Sequence, residues 1–262
     1  MKSLFEYLEG SARTLTVYEY AGTETELEQL TELLDSYGVR MQTVTTDGSG
    51  PENVAVLHQN GEILDACSVD ALLSHAEFEG LMQTEQQARP TLLSKLSPTV
   101  SVKPTQTVTE MVRISREYER RALREGGGTL HAGFQQLSQI AISDRTMEMY
   151  TALASEGVDV NVCGYPNTAL GDVPFTVIED TNGELEAYWY LLYDGNGNPD
   201  RKAALVSKER PTDGSEPEST DKEPVVQSER QYDCYFTTDR ETVDTLFDLA
   251  SSAHGELLGL TD

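Results

Sequence analysis

Apolar positions along the chain recur with two periods, and glycine, proline and asparagine punctuate the changes from one to the other. Leu4, Phe5 and Leu8 share one face of a short helix over 3–9. The alternating "TLTVYEY" (14–20) predicts a strand, and Leu27, Leu30, Leu33 and Leu34 mark a helix over 24–38 that stops at Gly38. A strand at 39–46 follows. Residues 53–69 predict a hairpin, with Asn60-Gly61 able to supply the two positive φ angles of a type I′ turn. Further on, "TVTEMVRISREYERRALR" (107–124) is the strongest helical stretch, with Val108, Met111, Ile114, Tyr118 and Leu123 roughly on one side. A strand at 128–133, a helix at 143–156 and a strand at 158–163 come next. A hairpin over 174–193, turning at Asn182-Gly183, and a strand at 202–208 are expected after them. A strand at 231–239 and a helix at 240–255 capped by Asp239 close the pattern.

Between these elements two stretches lose all period. Residues 81–104 hold prolines among Ser, Thr and Gln and are expected to be a linker or crossover; 211–228 mix Pro, Ser and acid and are expected to form a disordered insertion. The expected organisation is an N-terminal α/β unit over 1–80, the linker, and a second domain over 105–255. Both consist of mixed sheets flanked by helices. The halves also echo each other: "TLTVYEY" with "TLHAGFQ", "ELEQLTELLDSYGVRMQTV" with "TMEMYTALASEGVDVNVCG", and "VAVLHQNGEIL" with "FTVIEDTNGEL". An internal duplication would place His131 where Thr16 stands and pair the turn at Gly61 with one at Gly183. Strand–helix–strand units share such punctuation without common descent, so coincidence is the competing reading.

Charge narrows the partners. The chain carries 45 acidic against 19 basic side chains, a formal net charge of −26. Such a surface repels nucleic-acid phosphates and anionic lipid, so neither nucleic acid nor membrane is expected as a partner. An acidic, lysine-poor surface suits a cytosol at molar salt, where the Debye length is about 3 Å; this predicts a cytoplasmic, halophilic protein. No apolar run approaches the ~20 residues that span a bilayer. Cys67, Cys163 and Cys234 are odd in number and widely spaced, which fits reduced thiols rather than a disulfide framework or zinc site.

Local chemistry is sparse. The loop "DGNGNPDRKAAL" (194–205) places Pro199 where a calcium loop needs Gly and Leu205 where it needs a bidentate Glu, so a polar turn is expected. The glycines of "EGGGT" (125–129) leave a helix and enter a strand, the reverse of a nucleotide-binding order. His131 has no second histidine at metal-ligand spacing, and a structural histidine is its ordinary reading. Cys163 has no basic neighbour in sequence to activate it. "EAYWYLLYDG" (186–195) puts alternate aromatics on one strand face, where they either pack a core or grip a planar ligand.

A longer match sets these pieces in order. A helix with Ser115-x-x-x-Glu119, then "LHAGFQ" (130–135), then Met149-Tyr150 before Leu153-Ala154, then a strand ending "GYPN" (164–167), resembles the DICT sensory domain. The segments "YWYLLYDGNGNPDRKAALVSKER" and "YDCYFTTD" extend the resemblance, which covers about residues 105–250. The N-terminal part resembles the leading region of stand-alone haloarchaeal members. The resemblance implies a signal-sensing module without catalysis, inferred for the family to serve light or redox signalling. It supplies no catalytic residues, no cofactor and no ligand identity. No kinase, cyclase or helix-turn-helix region accompanies it, so any output is expected to pass through a signalling partner.

The expected function is therefore a cytoplasmic, non-enzymatic sensory or relay protein that binds a small molecule or a signalling partner. The candidate ligand-binding residues are His131, Phe134, Gln135, Tyr150, Tyr165 and Trp189; no metal ligand or catalytic residue is assigned, and the cofactor is unknown. A pure interaction adaptor and an unrecognised enzyme are the alternatives. A pocket among these residues favours the first reading, solid packing the second, and a nucleophile–base pair the third.

Overall fold

The computed structural model describes residues 2–47, 50–79, 91–96, 100–211 and 230–257. Most of the expected linker and all but the first residue of the expected insertion lie outside the described residues. The fold is mixed α/β and comprises two compact units: residues 9–103 form one, and residues 1–8 with 104–262 form the other. The first eight residues thus belong to the larger unit rather than to an N-terminal domain.

In the smaller unit, β1 (Thr14–Tyr18), α2 (Glu24–Ser36), β2 (Arg40–Val44), β3 (Val54–Gln59) and β4 (Glu62–Ser68) precede α3 (Val69–Glu79) and α4 (Thr91–Ser94). The preceding helix, α1, is Lys2–Ser11. Strand order is β2-β1-β3-β4, with β1 parallel to β2 and antiparallel to β3. Thr23 and Glu26 form a reciprocal capping box that starts α2. Asn60 and Gly61 adopt φ of 52° and 78°, the turn that the hairpin demands. Leu15, Val17, Leu30, Leu34, Ala55, Leu57, Leu72 and Leu92 fill the core. Those on β1, α2 and β3 come from residue patterns of period two or about 3.6, whereas Leu92 lies on α4, inside the stretch expected to be a linker.

The larger unit contains β5 (Ser101–Thr107), α5 (Val108–Glu125), β6 (Thr129–Gln136), α6 (Ser138–Ala141), α7 (Asp144–Ser155) and β7 (Asp159–Tyr165). It continues through β8 (Thr176–Glu179), β9 (Tyr188–Tyr193), β10 (Ala203–Glu209), β11 (Gln231–Thr237) and α8 (Arg240–Leu257). Its seven-stranded sheet runs β5-β11-β10-β9-β6-β7-β8. Thr107 and Glu110 make the capping box that starts α5, and Gly126, at φ 63°, ends it. Leu130, Ala132 and Phe134 of β6 join Met111, Tyr118, Tyr150 and Leu153 of α5 and α7 in the main core. Strand alternation turns His131 to the opposite face, where it meets Phe247 of α8 edge-on at 5.2 Å.

One expectation fails here. Residues 174–193 are not a hairpin: β8 pairs parallel with β7, whereas β9 lies antiparallel to β6. Asp180 explains the change of path. Its buried carboxylate accepts hydrogen bonds from the backbone N–H groups of Glu184 and Leu185. A turn closed in this way, with Leu185 buried, takes the chain away from β8 instead of folding it back alongside. The true hairpin is β9–β10, joined through the 194–202 loop.

The order β7-β6-β9-β10 consequently repeats the order β2-β1-β3-β4, with the same strand directions. Thr16 stands opposite Gln42 and Val56; His131 stands opposite Asn161 and Leu192. The proposed equivalence of the Gly61 and Gly183 turns is lost, and common strand order alone does not establish a duplication.

Candidate functional site

A cavity of about 610 Å³ opens in the larger unit between α5, the α6–α7 corner and the ends of β6, β9 and β11. Helical spacing brings Val108, Val112, Ser115, Arg116 and Glu119 of α5 to it. Ser143, which caps α7, lines it together with Arg145 and Thr146. Phe134, Trp189 and Tyr232 form an aromatic wall: Phe134 and Trp189 have ring centroids 6.2 Å apart, and Trp189 meets Tyr232 edge-on at 6.1 Å.

Arg116 and Glu119 hold the inner end. Arg116 is 9% exposed and Glu119 2%. Arg116 Nη1 donates to Glu119 Oε2 at 2.6 Å, and Nη2 donates to Thr146 Oγ1 at 2.6 Å. Thr146 Oγ1 in turn donates to Ser143 Oγ at 2.8 Å. Burial raises the Glu119 carboxyl above its ordinary range, although Arg116 opposes the shift. The fully buried Tyr150 hydroxyl faces this carboxyl without a hydrogen bond of ordinary geometry. Ser115 Oγ is also buried, lines the cavity and has no hydrogen-bond partner among the described residues.

Gln135 organises the other side. A register shift between Phe134 and Gln136 puts an extra residue into β6 opposite β7. Such a bulge re-aims side chains, so that Phe134 lines the cavity while the next residue, Gln135, reaches the side chains of its wall. Gln135 Oε1 accepts from Arg230 Nη1 at 2.9 Å, while its Nε2 donates to Glu209 at 2.6 Å. Tyr232 and Gln139 approach the same oxygen at 3.4 Å. Burial and the neighbouring Glu209 push the Tyr232 hydroxyl up to about 12.

Of the six residues expected at a binding site, Phe134 and Trp189 line the cavity, Gln135 braces it, and Tyr150 sits behind its inner end. His131 and Tyr165 are not part of it. His131 lies on the other sheet face, and burial lowers its pKa against the opposing pull of Asp159 and Asp194. Tyr165, at the end of β7, is 49% exposed. The cysteines are also elsewhere. Burial raises the Cys163 thiol to about 12 and Cys67 to about 11, which leaves both protonated at neutral pH.

Sequence reasoning missed the arginines. Arg113, Arg116, Arg120, Arg145 and Arg230 all line the cavity, and among the described residues Glu119 is the only acidic one in its lining. One signal was present: Ser115-x-x-x-Glu119, part of the DICT resemblance, turns out to face the cavity from successive turns of α5. Among the described residues no cluster of three or more His, Cys, Asp and Glu could hold a metal ion, and no helix is long and apolar enough to cross a membrane.

No family model and no curated protein matches the chain. Among solved structures, a polyphosphate kinase from Porphyromonas gingivalis is similar over 89% of this chain at 12% identity, with a TM-score of 0.33. The chain spans 44% of that protein's length, and the likeness is too low to bear on fold or activity.

Proposed function

We propose that this protein is a non-enzymatic, cytoplasmic sensory or relay module of the DICT type, whose input is a small molecule held in the α5–β6–β9 cavity. The observation that carries the reading is the cavity itself. Its volume lies within the roughly 300–1,000 Å³ typical of small-molecule sites, and it has an aromatic wall with convergent polar groups. Five residues from the segments that resemble the DICT domain, Ser115, Glu119, Phe134, Trp189 and Tyr232, line it. Among the described residues the lining includes no histidine, cysteine or lysine; Ser115 has no base bonded to it, and Glu119 is engaged by Arg116. The signal would leave through a protein partner.

Native mass spectrometry of the full chain, purified from its own cells, tests the proposal. A retained small molecule that is lost in Trp189→Ala, with the variant still folded, is the expected result. A wild-type chain that carries no added mass and is not shifted in melting temperature by any fraction of its own small-molecule extract would overturn the reading.

A further inference from the structure

The charge of the cavity runs against the charge of the molecule. A chain with 45 acidic and 19 basic side chains gathers, among the described residues, five arginines and one glutamate around a single opening. Two of the five are engaged: Arg116 by Glu119 and Thr146, and Arg230 by Glu209 and Gln135. Arg113 and Arg145 are exposed at the mouth and make no hydrogen bond or ion pair among the described residues. Arg120 is exposed beside them, with Glu119 as its acidic neighbour. Clustered like charges repel, and the arrangement costs stability unless an anion compensates it. The sequence offers ample carboxylates, yet among the described residues the lining admits one.

Three further features describe the rest of the ligand. A guanidinium group pairs through two parallel N–H donors with two oxygens of a phosphate or carboxylate. The buried Ser115 hydroxyl, unpartnered and on the cavity surface, offers one more donor to such a group. Opposite α5, the Phe134–Trp189–Tyr232 wall presents flat π-faces and edges rather than a polar surface.

Resting on the small-molecule reading above, we infer that the ligand is a planar ring joined to a phosphate or carboxylate group, a compound of the mononucleotide kind. The anionic end meets Arg113, Arg120 and Arg145 with Ser115, and the ring lies against Trp189 and its neighbours.

The test compares matched pairs at one fixed salt concentration. Adenosine with adenosine monophosphate, riboflavin with flavin mononucleotide, and inorganic phosphate alone are titrated by calorimetry into the full chain. Quenching of Trp189, the chain's single tryptophan, locates the site. The expected result is that adding phosphate to the ring tightens binding at least about tenfold in one or both pairs, while phosphate alone binds weakly. Arg113→Gln combined with Arg145→Gln, two exposed positions whose loss should leave the fold intact, should remove most of that gain without abolishing binding of the ring. Equal binding of the ring with and without phosphate, with Trp189 quenched, would overturn the anionic class while leaving the cavity as a small-molecule site. Failure of every compound to bind would overturn the inference, and native mass spectrometry would then decide separately whether the cavity holds any ligand.

Discussion

Arg116 and Glu119, one helical turn apart on α5, form a 2.6 Å ion pair that is almost wholly buried at the inner end of the cavity. A pair in this position is asymmetric in its consequences. Together the two charges offset each other's desolvation; removal of one leaves the other almost wholly buried without its counter-charge.

Arg116→Ala should therefore destabilise the protein by about 3–5 kcal/mol, the usual cost of orphaning a buried charge. The Glu119 carboxyl, already raised by burial, should rise further and become protonated nearer neutrality. Urea melts of wild type, Arg116→Ala, Glu119→Gln and the double variant in matched salt check this. The double variant should be less destabilised than the sum of the singles. Strictly additive singles would show that the pair is not coupled.

Gly133→Ala should be severe for a steric reason. A Cβ at this position would lie 1.8 Å from Cε1 of Tyr190, whose ring is buried. Overpacking of this kind costs about 1–3 kcal/mol or more. A thermal melt should show a clear loss, and Tyr190→Leu in the same chain should restore part of it. Wild-type melting of Gly133→Ala alone would mean that β6 can shift away from β9.

His131 should make stability depend on pH. Its folded pKa lies below the ordinary 6.5, because burial disfavours the imidazolium. The unfolded chain therefore takes up the proton first, and stability falls as pH drops from about 7 through 6.5 toward the folded pKa. The readout is the difference between wild type and His131→Gln, since carboxylates titrate in both. The variant should lose less stability between pH 7 and 5; identical slopes would refute the assignment.

Stability should also rise with salt. A compact chain with net charge −26 repels itself, and screening relieves that repulsion. Melting temperatures measured from low to molar potassium chloride should increase; a flat or falling trend would exclude a halophilic surface.

Elements that obey local rules could be read from the sequence. Thr107 and Glu110 start α5, Asp239 accepts from Thr242 N–H at the start of α8, and Asn60-Gly61 turns β3 into β4, because each depends on groups only a few residues apart. The aromatic half of the cavity was partly legible for the same reason: alternation along "YWYLLY" fixes Trp189 and Leu191 to one face. Pairing between distant segments has no such local mark. Asn182-Gly183 has the composition of a hairpin turn, yet Asp180 closes a different turn and β9 finds β6 instead of β8. The bulge that brings Gln135 to Arg230 arises only where β6 meets β7, and Arg113, Arg145 and Arg230 become neighbours only when α5, α7 and the start of β11 pack together. Periodicity determined which face of each element is apolar. Tertiary packing alone decided where the basic side chains of an acidic protein would converge, because burial and long-range strand order, not neighbouring residues, set those distances.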